Sequence, residues 1–141
     1  MPPPASLAAF HLTVLPQTFY VIQLNPEEKI PDNLIDQIRS SSEHPLFSIT
    51  RTPEEISIVG EYESDSQSQE KYATWRCIKI AGPMDFGVTG VMCNFTTPLK
   101  AAEVPVFAVS TWNTDYVLVP NDKLELAQKA LQDDGWVFVG Q

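Results

Sequence analysis

The apolar pattern of the second half of the chain constrains the fold more than any other feature. Between Trp75 and Val139 the spacing of the apolar residues changes repeatedly between the period of a strand and that of a helix. The predicted elements are a strand at Trp75–Ile80, a helix from Val88, strands at Val106–Val109 and Tyr116–Val119, a helix after Asp122 and a strand at Trp136–Val139. This β-α-β-β-α-β order predicts an α+β fold in which two helices pack on one face of a four-stranded antiparallel sheet.

The first half repeats the beginning of that order and then stops. Residues Leu12–Leu24 are rich in β-branched and aromatic side chains, but Pro16 interrupts them, so we expect one long edge strand with a bend, or two short strands. A short helix is predicted at Pro31–Ser40, and the alternating Phe47–Thr50 and Ile56–Val59 predict a hairpin.

A polar, acidic run at Glu61–Lys71 has no periodicity and predicts a loop between two halves of the chain. We therefore expect an abridged unit at residues 1–70 and a complete unit at residues 71–141.

Three residues of the second half predict details of its helices. Pro98 falls late in the first helical pattern, where a missing N–H and a steric clash predict a kink or a restart. Asp122, followed by Glu125, predicts a capping box for the second helix. Gly135 is placed to end that helix.

The composition of the chain disfavours several kinds of partner. With 18 acidic and 9 basic residues, the net charge of −9 disfavours nucleic acid and anionic membrane surfaces. No apolar run is long enough to span a bilayer, and the start of the chain lacks the positive region of a secretory signal. The two cysteines, Cys77 and Cys93, lie in apolar patterns and predict buried, reduced thiols in a cytoplasmic protein.

Nothing in the sequence predicts catalysis, a metal or a cofactor. His11 and His44 are far apart and have no cysteine or carboxylate at ligand spacing. No nucleophile elbow, phosphate-binding loop or dinucleotide-binding glycine pattern is present. We expect a non-enzyme, with an unrecognised enzyme as the remaining rival.

One candidate binding segment is the glycine-bearing start of the first helix of the second half. It comprises Asp85, Gly87, Val88, Thr89, Gly90 and Val91. Unpaired N–H groups and the positive end of the helix dipole favour a carboxylate there, while Asp85 could engage an ammonium group. The alternatives stay open, because the glycines could serve tight packing and Asp85 could cap the helix.

The second candidate is the polar corner Ser110–Asp115, which lies between the two apolar strands Val106–Val109 and Tyr116–Val119. Asp115, with its neighbours Asn113 and Thr114, could face an amine, or these residues could simply stabilise the turn. If the flanking strands are neighbours, both candidate segments fall at one edge of the sheet. Facing N–H groups and a carboxylate would suit a zwitterion such as an amino acid.

The element order, with Asp85–Val91 at the first helix and Ser110–Val119 at the hairpin, resembles the ACT-domain family. The segment Phe47–Glu55 is also similar to a stretch of the tandem-ACT arginine sensors of CASTOR type. The resemblance implies tandem ferredoxin-like units and a regulatory module that binds a free amino acid where two ACT units meet. It implies ligand contacts from Gly87–Val91 and from Asn113–Asp115, and a homodimer or a partner protein. A ligand-free interaction or dimerisation module is the alternative.

Overall fold

The computed structural model describes residues 11–40, 43–63, 70–80 and 90–140, and it confirms the α+β class. The elements in chain order are β1 (Leu12–Leu24), α1 (Asp32–Ser40), β2 (Phe47–Arg51), β3 (Ile56–Glu61), β4 (Trp75–Ile80), α2 (Val91–Ala101), β5 (Phe107–Ser110), β6 (Asp115–Pro120) and α3 (Leu124–Asp133). None of the helices in these ranges is long and apolar enough to cross a membrane.

The chain divides into two compact units. The N-terminal unit is Gln17–Trp75, and the C-terminal unit combines Arg76–Gln141 with the residues up to Pro16. The predicted boundary lies between residues 70 and 71, whereas these compact units meet between Trp75 and Arg76. The C-terminal unit also includes the beginning of the chain, because β1 begins in that unit and ends in the N-terminal one.

In the C-terminal unit the strands follow the order β1-β4-β6-β5. Strands β5 and β6 are antiparallel, from Phe107 opposite Leu118 to Ser110 opposite Asp115. Helices α2 and α3 bury their apolar faces in one core with residues of these strands. Its fully or nearly buried members are Leu12, Val14, Ile78, Ile80, Val91, Phe95, Leu99, Val104, Val117, Val119, Ala127, Leu131 and Trp136.

The predicted last strand at Trp136–Val139 is wrong. Phe138 forms only an isolated parallel bridge with Leu12, held by hydrogen bonds from Leu12 N to Val137 O (2.9 Å) and from Val139 N to Leu12 O (2.8 Å). The physical reason is that the beginning of β1 lies beside β4, where the last strand of a βαββαβ unit would lie.

In the N-terminal unit the order is β2-β3-β1, and both neighbouring pairs are antiparallel. The pairing of β2 with β3 confirms the predicted hairpin, and α1 confirms the predicted helix. Tyr20, Leu34, Ile56 and Ile58 form the buried core of this unit, with α1 contributing Leu34.

The prediction of an edge strand at Leu12–Leu24 is wrong, because β1 has β3 as a neighbour in one unit and β4 in the other. Pro16 is tolerated within β1 because it is exposed and lies between two sets of partners. Leu12 pairs with Phe138, whereas pairing with β3 begins at Phe19.

Helix α2 continues through Pro98 to Ala101 without a restart, and the alternative of a kink at Pro98 stays a prediction. Two other local predictions are wrong. Asp122 lies in a 3₁₀ turn that precedes α3, and no side chain caps α3, so the capping box does not form. Cys93 is exposed rather than buried, because it lies on the outer face of α2. Gly135 ends α3 as predicted, with φ 99°.

Candidate functional site

The polar corner between β5 and β6 is held by a compact set of hydrogen bonds. Thr111 N donates to Thr114 O at 2.9 Å, and Thr111 Oγ1 donates to the same carbonyl at 3.1 Å. Ser110 and Asp115 lie opposite each other and form the last residue pair of β5 and β6 before the loop. These bonds join the two ends of the four-residue loop at 111–114.

Thr114 joins this corner to the neighbouring strand. Its side chain is only 3% exposed, and Oγ1 donates to Ile80 O at 2.5 Å. A buried carbonyl without a partner would be costly, so this bond stabilises both chain segments. Because Ile80 is the last residue of β4, the corner lies at the end of β4 that leads toward α2.

Asp115 is half-buried at the start of β6. The Ser110 hydroxyl donates to Asp115 Oδ1 at 2.5 Å, while Asn113 is exposed at the tip of the corner. A carboxylate offers about four lone-pair positions, so this one bond leaves capacity for a further donor. The hydroxyl of Thr114, in contrast, is buried and committed to Ile80, which makes it a positioning group.

The second candidate segment is described only at its end, because Asp85, Gly87, Val88 and Thr89 lie outside the described residues. Gly90 is exposed with φ 80°, and its carbonyl accepts the first helical hydrogen bond from Asn94 N at 2.9 Å. No side chain caps α2, and its first turn carries no acidic residue. The first amides of α2 thus lack a side-chain acceptor within the described part of the chain.

Val91 follows Gly90 and is 7% exposed, with its side chain in the core. A ligand contact from Val91 would therefore come from its backbone, as the family resemblance implies. The structure brings Thr114 and Asp115 to the end of β4 and places Gly90 and Val91 at the start of α2. Their contacts with a ligand stay predictions.

The C-terminal unit also contains a buried thiol. Cys77 is fully buried in β4, and burial raises the pKa of its thiol to about 12, against weaker lowering effects of the Val117 backbone and Lys79. The Lys79 ammonium lies 5.6 Å from the centre of the Tyr116 ring. At neutral pH this thiol is protonated and does not act as a nucleophile.

One histidine lies near carboxylates in the N-terminal unit. His44 Nδ1 is 3.4 Å from Glu61 Oε1, and Nε2 is 3.8 Å from Glu63 Oε1. Sequence spacing did not predict this cluster, because it forms only when the loop before β2 folds against the end of β3. Within residues 11–40, 43–63, 70–80 and 90–140, no group of three or more potential ligands is arranged to hold a metal ion.

Sequence reasoning missed two residues that shape the corner, Ser110 as the partner of Asp115 and Ile80 as the acceptor for Thr114. Ser110 could have been found from the hairpin register, because a four-residue loop at 111–114 places residues 110 and 115 opposite each other. Ile80 contributes only its carbonyl, for which no sequence signal exists.

Comparison with known proteins agrees with this arrangement of strands and helices. The family model of the ACT domain matches residues 70–133, which include β4, α2, the β5–β6 corner and α3. Residues 70–133 form an ACT domain. The resemblance to the ACT-domain family is thereby confirmed.

Curated relatives of this chain are named arginine sensors. The human cytosolic arginine sensor for mTORC1 subunit 1 is 30% identical over 138 residues, covering 81% of this chain and 42% of the sensor. The rat protein of the same name is 27% identical over 141 residues and covers 92% of this chain. The chain thus spans less than half the length of the curated relatives that it matches.

Solved structures share the fold along most of the chain. A crystal structure of a protein from Agrobacterium tumefaciens has a TM-score of 0.73 and 28% identity, covering 92% of this chain and 91% of that chain. The regulatory subunit of aspartate kinase from Thermus thermophilus has a TM-score of 0.57 and 10% identity, and it covers 86% of this chain and 95% of that chain. The second likeness shows the ferredoxin-like ACT fold alone.

Proposed function

We propose that the chain is a regulatory module that binds a free amino acid and performs no catalysis. The observation that carries the proposal is the bond from Thr114 to Ile80, which fixes the Asp115 corner at the end of β4 that leads toward α2. The ACT-domain match over residues 70–133 and the similarity to proteins named arginine sensors support it.

In this proposal the ligand lies where two ACT units meet, and the second unit comes from this chain or from another copy. The first amides of α2, beginning at Gly90, receive the ligand carboxylate, because they have no side-chain cap and carry the positive end of the helix dipole. Asp115 receives an ammonium or another cationic group through the lone pairs that Ser110 leaves unused.

Regulation then follows from differential affinity. A ligand that binds one assembly state more tightly than another shifts the population toward that state. The expected readout is self-association as a homodimer or association with a partner protein. We place this function in the cytoplasm, since the curated relatives are named cytosolic.

A thermal-shift screen of the twenty amino acids tests the proposal. A ligand present at a hundredfold excess over its dissociation constant stabilises the folded form by about 2.7 kcal/mol. For a domain of this size, that amounts to a rise in melting temperature of several degrees. One responding amino acid supports the proposal. A folded protein that responds to none contradicts it.

A matched pair of variants locates the site. Asp115→Asn keeps the size of the side chain and removes its charge, so we expect the shift caused by the responding amino acid to disappear. Asp122→Asn removes the same charge from an exposed position in the 3₁₀ turn and should leave the shift unchanged. Equal shifts in both variants would contradict the placement of the ligand at Asp115.

A ligand-free interaction module is the second candidate, and exposure of Trp112 favours it. Trp112 lies at the tip of the corner with 79% of its side chain exposed. Large aromatic side chains are enriched at protein interfaces. In this case Trp112→Ala would dissociate a complex in analytical ultracentrifugation, while the amino-acid screen would give no response.

A further inference from the structure

The two compact units are joined inside strands rather than by a linker. The first crossing of the chain lies between Pro16 and Gln17, within the strand β1. The second lies between Trp75 and Arg76, the first two residues of β4. Boundaries between independent domains usually fall in exposed, flexible segments. The N-terminal unit is thus an insertion in the C-terminal unit, and each end of the insertion lies in a strand.

The beginning of β1 belongs to the core of the C-terminal unit. Leu12 and Val14 are buried in the same cluster as the apolar faces of α2 and α3. The N–H and the carbonyl of Leu12 are both hydrogen-bonded, to Val137 and Val139 respectively. Buried apolar side chains and paired backbone groups resist removal from the fold. Unfolding of the C-terminal unit therefore requires the release of this end of β1.

The remainder of β1 belongs to the core of the N-terminal unit. Tyr20 is buried in one cluster with Leu34 and Ile58, and the residues Phe19–Leu24 pair with β3. A unit of about 60 residues buries a small share of its surface and is only marginally stable alone. Loss of the pairing with β1 would expose this core. The N-terminal unit therefore depends on the position of the same strand.

The join within β1 is stiff. The ring of Pro16 fixes the φ angle at the crossing. Leu15 O, directly before it, accepts a hydrogen bond from Arg76 Nη2 at 3.1 Å. This bond ties one crossing of the chain to the other. A flexible linker would let one unit unfold without disturbing the other, whereas a tied strand does not offer that freedom.

We propose that β1 couples the two units, so that they unfold together and a change in the stability of one unit is passed to the other. A single cooperative transition is usual for chains of fewer than about 150 residues. One regulatory consequence rests on the proposed function: an amino acid bound at Asp115 also stabilises the N-terminal unit, because a ligand of the folded form stabilises everything that unfolds with it. The N-terminal unit thereby reports the occupancy of the site.

Hydrogen exchange of the ¹⁵N-labelled full chain tests the coupling without a ligand. Because β3 lies between β2 and β1, and β6 lies between β4 and β5, the amides of Val59 and Val117 report on the two cores. Thr114→Val removes the bond to Ile80 in the C-terminal unit and should speed exchange at Val117 by a factor of about 5 to 150. We expect the same factor at Val59. Unchanged exchange at Val59 would overturn the proposal.

The reverse experiment starts in the N-terminal unit. Gly60→Ala forces a Cβ atom against the buried ring of Tyr20 and should speed exchange at Val117 as well as at Val59. Thr97→Val, at an exposed position of α2, is the control and should leave both rates unchanged. Changes confined to the unit that carries the substitution would overturn the proposal.

Ile80→Val is the milder substitute should Thr114→Val fail to fold, because it removes one buried methylene group from the same unit. The amino-acid screen and the exchange experiment fail separately. Coupled exchange without a responding amino acid would contradict the proposed function and support the coupling. A responding amino acid, with exchange at Val59 that does not follow the substitution, would support the proposed function and overturn the coupling.

Discussion

The hydroxyl of Thr114 donates a hydrogen bond to the carbonyl of Ile80, and this bond ties the β5–β6 corner to the end of β4. Thr114 is buried, whereas Asn113 before it is exposed and Asp115 after it is half-buried. The position of Asp115 relative to β4 therefore depends on a neighbour that has little contact with solvent.

Replacing Thr114 with valine keeps the shape of the side chain and removes the donor. Because the Ile80 carbonyl would then lack its partner, we expect the free energy of unfolding to fall by about 1–3 kcal/mol. Urea denaturation followed by circular dichroism measures this change. Thr97→Val is the control, since Thr97 is exposed on α2, and it should change stability by less than about 0.5 kcal/mol. Equal effects of the two variants would contradict a structural role for the Thr114 bond.

Gly60 is required because Tyr20 lies directly against it. A Cβ atom at residue 60 would be 2.5 Å from Tyr20 Oη and 2.8 Å from Tyr20 Cζ, and Tyr20 is fully buried. Gly60→Ala should therefore destabilise the protein by about 1–3 kcal/mol. Gly140→Ala, where nothing lies within 4 Å, should be close to neutral. In a Tyr20→Leu background, which lacks both Oη and Cζ, the cost of Gly60→Ala should decrease, and an unchanged cost would show that the contact is not the cause.

Stability should fall in alkaline solution as Tyr20 ionises. Burial, with a smaller contribution from the negative charge of Glu63, raises the pKa of Tyr20 from 10.0 to about 12. Because the folded pKa lies above the unfolded value, this stabilisation is complete below pH 10 and is lost as the pH rises toward 12. The difference is worth at most about 2.7 kcal/mol.

The Tyr20→Phe variant isolates this effect. Cys77 titrates in the same direction, with its pKa raised by burial to about 12, but it is present in both proteins. The unfolding free energy of Tyr20→Phe should therefore decrease less steeply than that of the parent between pH 10 and 12. Parallel pH profiles would contradict the assignment.

The two cysteines should differ in reactivity toward thiol reagents. Cys93 is exposed, whereas Cys77 is buried and its raised pKa keeps the thiol protonated at pH 8. Incubation of the native protein with iodoacetamide should label Cys93 alone, and mass spectrometry of peptides measures this. Labelling of Cys77 at a comparable rate in the folded state would contradict its burial. Addition of urea should make both react.

Gly90 tests the start of α2. Its φ of 80° is rare for residues with a side chain, although the surrounding space is open. Gly90→Ala should cost about 1–2 kcal/mol, and Gly90→Asn should cost less, since asparagine adopts this conformation more readily. Equal costs measured by thermal unfolding would show that the conformation of the backbone does not set the requirement.

The sequence determined the local elements, because each depends on residues close together in the chain. Alternating side chains predicted β2, β3 and β4, and helical spacing predicted α1 and α2. The predicted β-α-β-β-α-β order of the second half carried the family resemblance, together with the segments Asp85–Val91 and Ser110–Val119. The match over residues 70–133 confirms the resemblance, although the last strand does not form.

Tertiary structure decided the features that depend on long-range pairing. Segments distant in sequence determine whether β1 is an edge strand and whether residues 136–139 pair as a strand. They also determine which carbonyl accepts the hydrogen bond from the Thr114 hydroxyl. The exposure of Cys93 and the contact of the Tyr20 ring with Gly60 also depend on how distant segments pack together. A periodic pattern shows that a face is apolar, but it does not identify the segment that packs against that face, because packing joins residues without regard to their separation in the chain.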